Sequence, residues 1–363
     1  MVQLLLKKLA CGGVRKLALL VLALWMAAPA AAASKSRPTT IQVPVLELEG
    51  GRRLSFEQAF SSENEVRGKP GFWSRLGNFV AGEAQRHTLI RPYSVVADSR
   101  GRVIVSDPGA SGVHIFDFTQ HKYKFIQRMK ERDGMHAPQC VAVDSADNIY
   151  VTDSDSGKIF VFTPEGRLER VIGSLKGGEG IFKRPTGIAV DSDAQTIFIT
   201  DTLRNQIFVM DMQGRVLNKI GKPGNGNGEF NFPTELRLQG KNLIVVDAMN
   251  FRLQVLDRSG RFQSEIGRLG DERGQFFRPK GVGIDSEGHV YVVEGLGSTV
   301  HVFDDKGNLL YYFGGKGTGP WQFQLPAGLY IDRRDRVFVV DSYNRRIQVF
   351  RYTAAKTEGR GGQ

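Results

Sequence analysis

Arginine recurs in this sequence at a spacing that can build an anion-binding site. Arg91, Arg184 and Arg278 each stand directly before a proline, at intervals of about two sequence repeats. Guanidinium groups bind carboxylates and phosphates through paired N–H donors, so three of them at one point can hold an anion. The alternative is that each arginine pairs with an acid of its own repeat, which leaves no site. The choice depends on where the repeats place these residues.

Glu235 and Arg237 form a second charged group, because they replace the small residues that follow the proline in other repeats. Two residues apart on a strand, they lie on the same face. Charges on an inner strand are costly unless they are paired or hydrated. They therefore either line a water-filled channel as a binding feature or form an internal ion pair, and we favour the ion pair.

A metal-dependent enzyme is the alternative that the histidines test. No pair among the six has the spacing of a compact metal motif: His87, His114, His121, His136, His289 and His301. Only Glu235 stands on an inner strand, with His136 just before another, and no nucleophile elbow or phosphate loop is visible. We therefore predict no catalytic residue and no cofactor, and keep a channel metal ion near Glu235 and His136 as the alternative.

The elements that position these residues are repeats of about 47 residues. The marker prolines are Pro92, Pro138, Pro185, Pro233, Pro279 and Pro326. After each come an apolar strand, a turn, a second strand ending in an acid, a third strand, a turn that usually contains glycine and a fourth strand. Four antiparallel strands per unit are typical of a propeller blade, and six units predict an all-β, six-bladed propeller over residues 89–352.

Closure of the ring is predicted to use the N-terminal region. The last repeat ends near Phe350 without a fourth strand, and the alternating segment at about residues 41–49 can supply it and remove an open edge. Residues 34–88 thus comprise a linker, this strand and a short amphipathic helix at about 72–81, while residues 353–363 form a disordered tail.

The N-terminus predicts export. A basic region, an apolar run over Leu17–Met26 and small residues up to Ala33 indicate a signal peptide over residues 1–33, with an uncleaved anchor as the alternative. Four of the 49 basic residues lie there, which leaves a net charge of +7 for the remainder. Export to the periplasm or outside makes a nucleic-acid partner improbable. Cys140 is then the only cysteine, and we expect a small buried hydrophobe.

Motifs within the repeats resemble the NHL repeat. The clearest copies are Pro185-Thr-Gly-Ile-Ala-Val-Asp, Asp247-Ala-Met-Asn-Phe-Arg-Leu and Asp341-Ser-Tyr-Asn-Arg-Arg-Ile, and the resemblance is to exported bacterial proteins in particular. It implies a six-bladed propeller. For function it implies less, because such propellers include protein- and RNA-binding modules, and related folds include metal-dependent lyases and lactonases.

Together these observations predict a monomeric, non-enzymatic scaffold that binds a protein or an anionic small ligand. After cleavage of the leader no membrane span remains. The candidate binding residues are Arg91, Arg184, Arg278, Glu235, Arg237, Asn250, Arg252, Tyr343, Asn344 and Arg346. For the strand-end acids, Asn250, Arg252, Asn344 and Arg346, a structural role in the loop is the simpler interpretation. The functional alternative is a metal-dependent lyase or a lactonase-type hydrolase.

Overall fold

The computed structural model describes residues 44–67, 87–127, 134–175 and 180–354, which form a ring of six antiparallel sheets. Blades 1 to 5 have four strands each, and their bounds in chain order are as follows. Blade 1 has β3 (Ser94–Ala97), β4 (Val103–Asp107), β5 (Gly112–Asp117) and β6 (Lys122–Gln127); blade 2 has β7 (Pro138–Val143), β8 (Ile149–Asp153), β9 (Lys158–Phe162) and β10 (Leu168–Ile172). Blade 3 has β11 (Pro185–Asp191), β12 (Thr196–Asp201), β13 (Gln206–Asp211) and β14 (Val216–Ile220); blade 4 has β15 (Pro233–Gln239), β16 (Asn242–Asp247), β17 (Arg252–Asp257) and β18 (Phe262–Ile266). Blade 5 has β19 (Pro279–Ile284), β20 (Val290–Glu294), β21 (Thr299–Phe303) and β22 (Leu309–Gly314).

Blade 6 closes the ring with N-terminal residues. Its strands are β23 (Leu329–Ile331), β24 (Arg336–Asp341), β25 (Arg346–Thr353), β2 (Arg53–Phe60) and β1 (Val45–Glu47), in that spatial order. Closure by an N-terminal strand is thus as predicted, but the prediction of residues 41–49 for that strand was wrong. β2 pairs with β25, while β1 pairs only with β2 and adds a fifth, outer strand.

In blades 2 to 5 the marker proline begins the innermost strand and stands opposite the strand-end acid. Pro185 pairs with Asp201 and Pro279 with Glu294, so the loop before each proline and the loop after each acid share one end of the blade. We call this end of the ring the proline face. Small residues on the inner strands allow neighbouring blades to approach: a Cβ on Gly187 would lie 2.8 Å from the Cα of Glu235 in the next blade.

Packing between blades supplies the core. Six buried apolar clusters each join two neighbouring blades, and the cluster with Val95 of blade 1 and Val340 of blade 6 completes the circle. Each sheet therefore packs on two neighbours, as expected when blades repeat around an axis. The result is a rigid frame for the loops of the proline face.

Helical structure is minor. The helix α1 (Asn64–Arg67) and two 3-10 turns, Glu49–Gly51 and Ala248–Asn250, are the helices among the described residues. The described part of the chain contains no helix that is long and apolar enough to cross a membrane. The predicted signal peptide, the helix at about 72–81 and most of the predicted tail lie outside the described residues.

Candidate anion-binding site

A cavity of about 280 Å³ lies on the proline face. Five of the six blades contribute residues to its wall, which places the cavity at the ring axis. Its lining includes Arg91 of blade 1, Arg184 of blade 3, and Arg278 and Lys280 of blade 5. The convergence predicted from the arginine spacing is therefore present. Tyr343, also predicted, lines the same cavity from blade 6.

The strand-end acids hold the loops that carry the arginines. Asp107 accepts hydrogen bonds from the backbone N–H groups of Ile90 (2.6 Å) and Arg91 (2.9 Å). Asp201 does the same for residues 183 and 184, and Glu294 for residues 277 and 278. The acids thus bind the backbone of each arginine.

None of the three guanidinium groups has an ion pair or a hydrogen bond among the described residues. All three residues are exposed. The alternative in which the arginines pair with the acids of their own blades is therefore wrong, and the cations remain available. Gly109 gives Arg91 its room, since a Cβ there would lie 2.9 Å from the Arg91 Cβ.

Lys280 is the cation that sequence reasoning missed. It directly follows Pro279, and its Nζ lies 5.7 Å from the centroid of the Tyr93 ring. Burial, together with the charges of Arg278 and Arg184, lowers the pKa of Lys280 to about 8. Lys280, Arg184 and Arg278 repel one another, and an anion bound between them would reduce this repulsion. A comparison of the positions after the prolines would have found Lys280, because the equivalent residue also lines this cavity in blades 1, 2 and 6 (Tyr93, Gln139 and Ala327).

Glu235 and Arg237 form an internal ion pair, the interpretation that we favoured. Arg237 Nη1 lies 3.0 Å from Glu235 Oε1, and both side chains are largely buried. Cys140, itself buried, donates its S–H to Glu235 Oε2 at 3.1 Å, and burial followed by the Glu235 charge raises the pKa of the thiol. Neither Glu235 nor Arg237 lines the axial cavity.

The Asn and Arg side chains after the acids of blades 4 and 6 are also engaged internally. Asn250 and Arg252 bind Asp247 and loop carbonyls, and Asn344 and Arg346 repeat these contacts around Asp341. Their donors are used within the chain, so we remove all four from the candidate site. The structural role was the simpler interpretation from the sequence.

Glu235 and His136, the residues of the metal alternative, have different partners in the described part of the chain. Glu235 is bound by Arg237 and Cys140, whereas His136 donates its backbone N–H to Asp153. In the described ranges, no group of three or more His, Cys, Asp or Glu side chains is arranged to hold a metal ion.

A second basic groove lies at the outer edge of blades 1 and 2. It has a volume of about 460 Å³ and includes Arg67, Arg100, Lys122 and Lys124. Here the cations already have partners: Arg100 lies 3.4 Å from Asp147, and Lys122 binds Gln120 at 2.9 Å. The axial cavity is thus the stronger candidate for an anion.

Comparison with known families agrees with the repeat. The NHL repeat family matches residues 136–162 and 323–350, and a family described as a 6-bladed beta-propeller matches residues 190–250. The chain is a six-bladed propeller protein that contains NHL repeats. A comparison of this NHL propeller with curated proteins finds no match.

Solved structures share the fold of the NHL propeller at low sequence identity. Virginiamycin B lyase from Staphylococcus aureus is 14% identical, with a TM-score of 0.54, over 83% of this chain and 99% of that one. An auxiliary nutrient binding protein from Bacteroides thetaiotaomicron is 13% identical, with a TM-score of 0.55, over 74% and 70% of the two chains. Hydrazine synthase from Kuenenia stuttgartiensis is 13% identical, with a TM-score of 0.54, over 76% and 99%. At these identities the likeness extends to the fold alone.

Proposed function

We propose that this propeller is a non-enzymatic binding module whose proline face docks an acidic protein surface and holds a carboxylate in the axial cavity. The observation that carries the proposal is the group of four cations, Arg91, Arg184, Arg278 and Lys280, around one cavity. Arginine can bind a carboxylate with two parallel hydrogen bonds, which gives direction as well as charge. The cavity volume of about 280 Å³ suits a single acidic side chain or a small anion.

Exposed apolar residues around the cavity favour a protein as the carrier of the anionic group. Seven large ones belong to the two loop types of the proline face: Ile90, Leu203, Phe232, Met249, Phe277, Leu296 and Tyr343, each between 40% and 57% exposed. Four of them are the second residue after a strand-end acid, in blades 3 to 6. Apolar and aromatic anchors around a charged centre are the usual composition of a protein interface.

Rigid presentation is the proposed mechanism. The loops begin and end on strands of a closed ring, and the acids fix the backbone of each arginine, so the cations are placed before a partner arrives. Such preorganisation reduces the entropy lost on binding.

We also propose that the protein acts outside the cytoplasm, on the basis of its N-terminal sequence pattern. N-terminal sequencing of the mature protein tests this proposal, and a mature chain that starts at Met1 would contradict cleavage of the leader.

Fluorescence anisotropy with a labelled glutamate-rich peptide tests the binding function. Replacement of Arg91, Arg184 and Arg278 together by Gln should weaken binding at least about tenfold, because three partly exposed charge pairs contribute about 0.5–1 kcal/mol each. The matched control replaces three exposed cations in turns at the opposite end of the blades, Lys241, Lys306 and Arg333, by Gln. An equal loss in both variants would show that only net charge matters and would overturn the proposal.

A second arm separates a protein partner from a small anion. Met249→Ala and Leu296→Ala should weaken capture of a partner from the exported fraction but leave the affinity for phosphate unchanged, because neither side chain lines the axial cavity. A partner set that is unchanged in the triple arginine variant would contradict the proposed docking face.

A further inference from the structure

Blades 4 and 6 fasten the preceding crossover loop with a three-residue clamp. Its members stand three, five and seven residues after the strand-end acid: Asn250, Arg252 and Gln254 after Asp247, and Asn344, Arg346 and Gln348 after Asp341. In blade 4 the arginine places Nε 3.2 Å from the Asp247 carboxylate and Nη2 2.8 Å from the Gly226 carbonyl. In blade 6 the equivalent distances, to Asp341 and Gly319, are 2.7 and 2.8 Å. The guanidinium thus bridges a carboxylate and a loop carbonyl in both blades.

Blade 5 has the same loop but lacks the clamp. Gly270 has a φ of 154°, against 155° and 156° at the equivalent Gly224 and Gly317. The Gln275 N–H donates to the Glu272 carbonyl at 3.0 Å, as residue 229 does to Gly226 at 3.1 Å. The clamp positions, however, hold Gly297, Thr299 and His301. The acceptors are therefore in place without the side chains that use them in the other two blades.

The missing clamp leaves a cavity of about 250 Å³, lined by Glu294, Thr299, His301, Glu272 and Tyr312 among others. Glu294 is 5% exposed, and among the described residues it accepts hydrogen bonds from backbone N–H groups only. His301 is 6% exposed, and its buried Nδ1 has no partner. The cavity is thus lined by a buried carboxylate without a cation and by an imidazole nitrogen without a partner. A hydrogen-bond donor placed between them would be stabilised.

The charge of this cavity favours a cation. Three acids line it, Asp271, Glu272 and Glu294, against one base, Arg273. The Arg273 guanidinium lies 4.7 Å from the centroid of the Tyr312 ring and forms no ion pair with Glu294 in the described structure. Burial lowers the pKa of His301 to about 4, so this side chain is neutral at pH 7 and adds no repulsion.

We propose that the blade-5 cavity is a binding site for a guanidinium group supplied from outside the chain. The incoming group would donate to the Glu294 carboxylate and to the Glu272 carbonyl, the contacts that Arg252 and Arg346 make in their own blades. A guanidinium fits this pair of acceptors better than an ammonium, because its planar fork donates in two fixed directions. The Tyr312 ring, with the Arg273 guanidinium 4.7 Å from its centroid, forms part of the wall.

Isothermal titration calorimetry on the purified protein tests the site with defined probes. N-acetyl-L-arginine amide should bind at least about tenfold more tightly than N-acetyl-L-lysine amide, a difference of about 1.4 kcal/mol. Agmatine separates the two sources of the group: equal affinity indicates recognition of the guanidinium alone, and tighter binding of the amide indicates an arginine within a peptide. Absence of selectivity between arginine and lysine, or no binding at millimolar concentration, would overturn the proposal.

Thr299→Arg is the decisive variant because it supplies the missing guanidinium within the chain. It should abolish binding of the arginine amide and raise the thermal unfolding temperature. Thr299→Ser is the matched control, because it keeps the hydroxyl that lies 3.2 Å from His301 Nε2 and leaves Glu294 and the carbonyls in place; it should bind within about threefold of the native affinity. Unchanged binding in a folded Thr299→Arg variant would contradict the site. Because the axial arginines are not used, the triple Gln variant should bind the amide normally.

Discussion

Leu54→Ala tests the closure of the ring by β2. Leu54 is fully buried in the cluster between blades 5 and 6, and it stands opposite Tyr352 of β25. Truncation of a fully buried leucine costs about 3 kcal/mol, because apolar contacts are lost and a cavity remains. At about 2 °C per kcal/mol for a domain of this size, the unfolding temperature should fall by about 6 °C.

Val45→Ala is the control on the outer strand β1, where the side chain is 47% exposed, and it should change stability by less than about 0.5 kcal/mol. Urea denaturation of both variants measures the difference, and limited proteolysis locates it, since β25 should become the first site of cleavage in Leu54→Ala. A loss below about 1 kcal/mol for Leu54→Ala, or an equal loss for Val45→Ala, would refute closure by β2.

Two further predictions concern Lys280 of the axial cavity and the buried Glu235–Arg237 ion pair. Because Lys280 has a pKa of about 8, anion affinity should fall by up to about fivefold between pH 7 and pH 9 as this cation loses its proton, and Lys280→Arg should remove that fall. Anisotropy titrations across this range measure it; a native profile that matches that of Lys280→Arg would contradict the assignment. Arg237→Met should destabilise the fold by about 3–5 kcal/mol, because Glu235 is left buried without its cation. Adding Glu235→Gln should recover most of the loss in urea denaturation, and equal instability of the single and double variants would contradict the ion-pair account.

The repeat, the blade count and the arginine convergence could all be predicted from the sequence. Each depends on a period, and the position before the proline is equivalent in every blade. The arginines of blades 1, 3 and 5 therefore had to meet at the axis once the ring was known. The same comparison at the position after the proline would have found Lys280.

The closing strand was harder to predict because a bulge interrupts its alternation. The register of β2 shifts between Phe56 and Gln58, so Leu54 and Phe56 pack between blades 5 and 6 while Phe60 packs between blades 6 and 1. A strict alternation of apolar and polar residues therefore does not describe such a strand. The clean alternation of residues 45–49 was the more visible pattern, although it belongs to an outer hairpin strand.

The blade-5 cavity could not be predicted as a site from residue types. The sequence shows that Gly297 and Thr299 depart from the repeat, which is equally consistent with a degenerate loop. A binding site differs from a degenerate loop in that the acceptor loop keeps its shape. That shape depends on the positive φ of Gly270 and on backbone hydrogen bonds. Only the three-dimensional structure shows that the acceptors remain when the donors are gone.

A crystal structure of the protein with the glutamate-rich peptide tests the central claim most directly. The account predicts a peptide carboxylate in the axial cavity, within about 2.7–3.2 Å of guanidinium nitrogens from at least two of Arg91, Arg184 and Arg278. A peptide whose carboxylates lie instead in the groove beside Lys122 and Lys124, with the axial cavity empty, would contradict it.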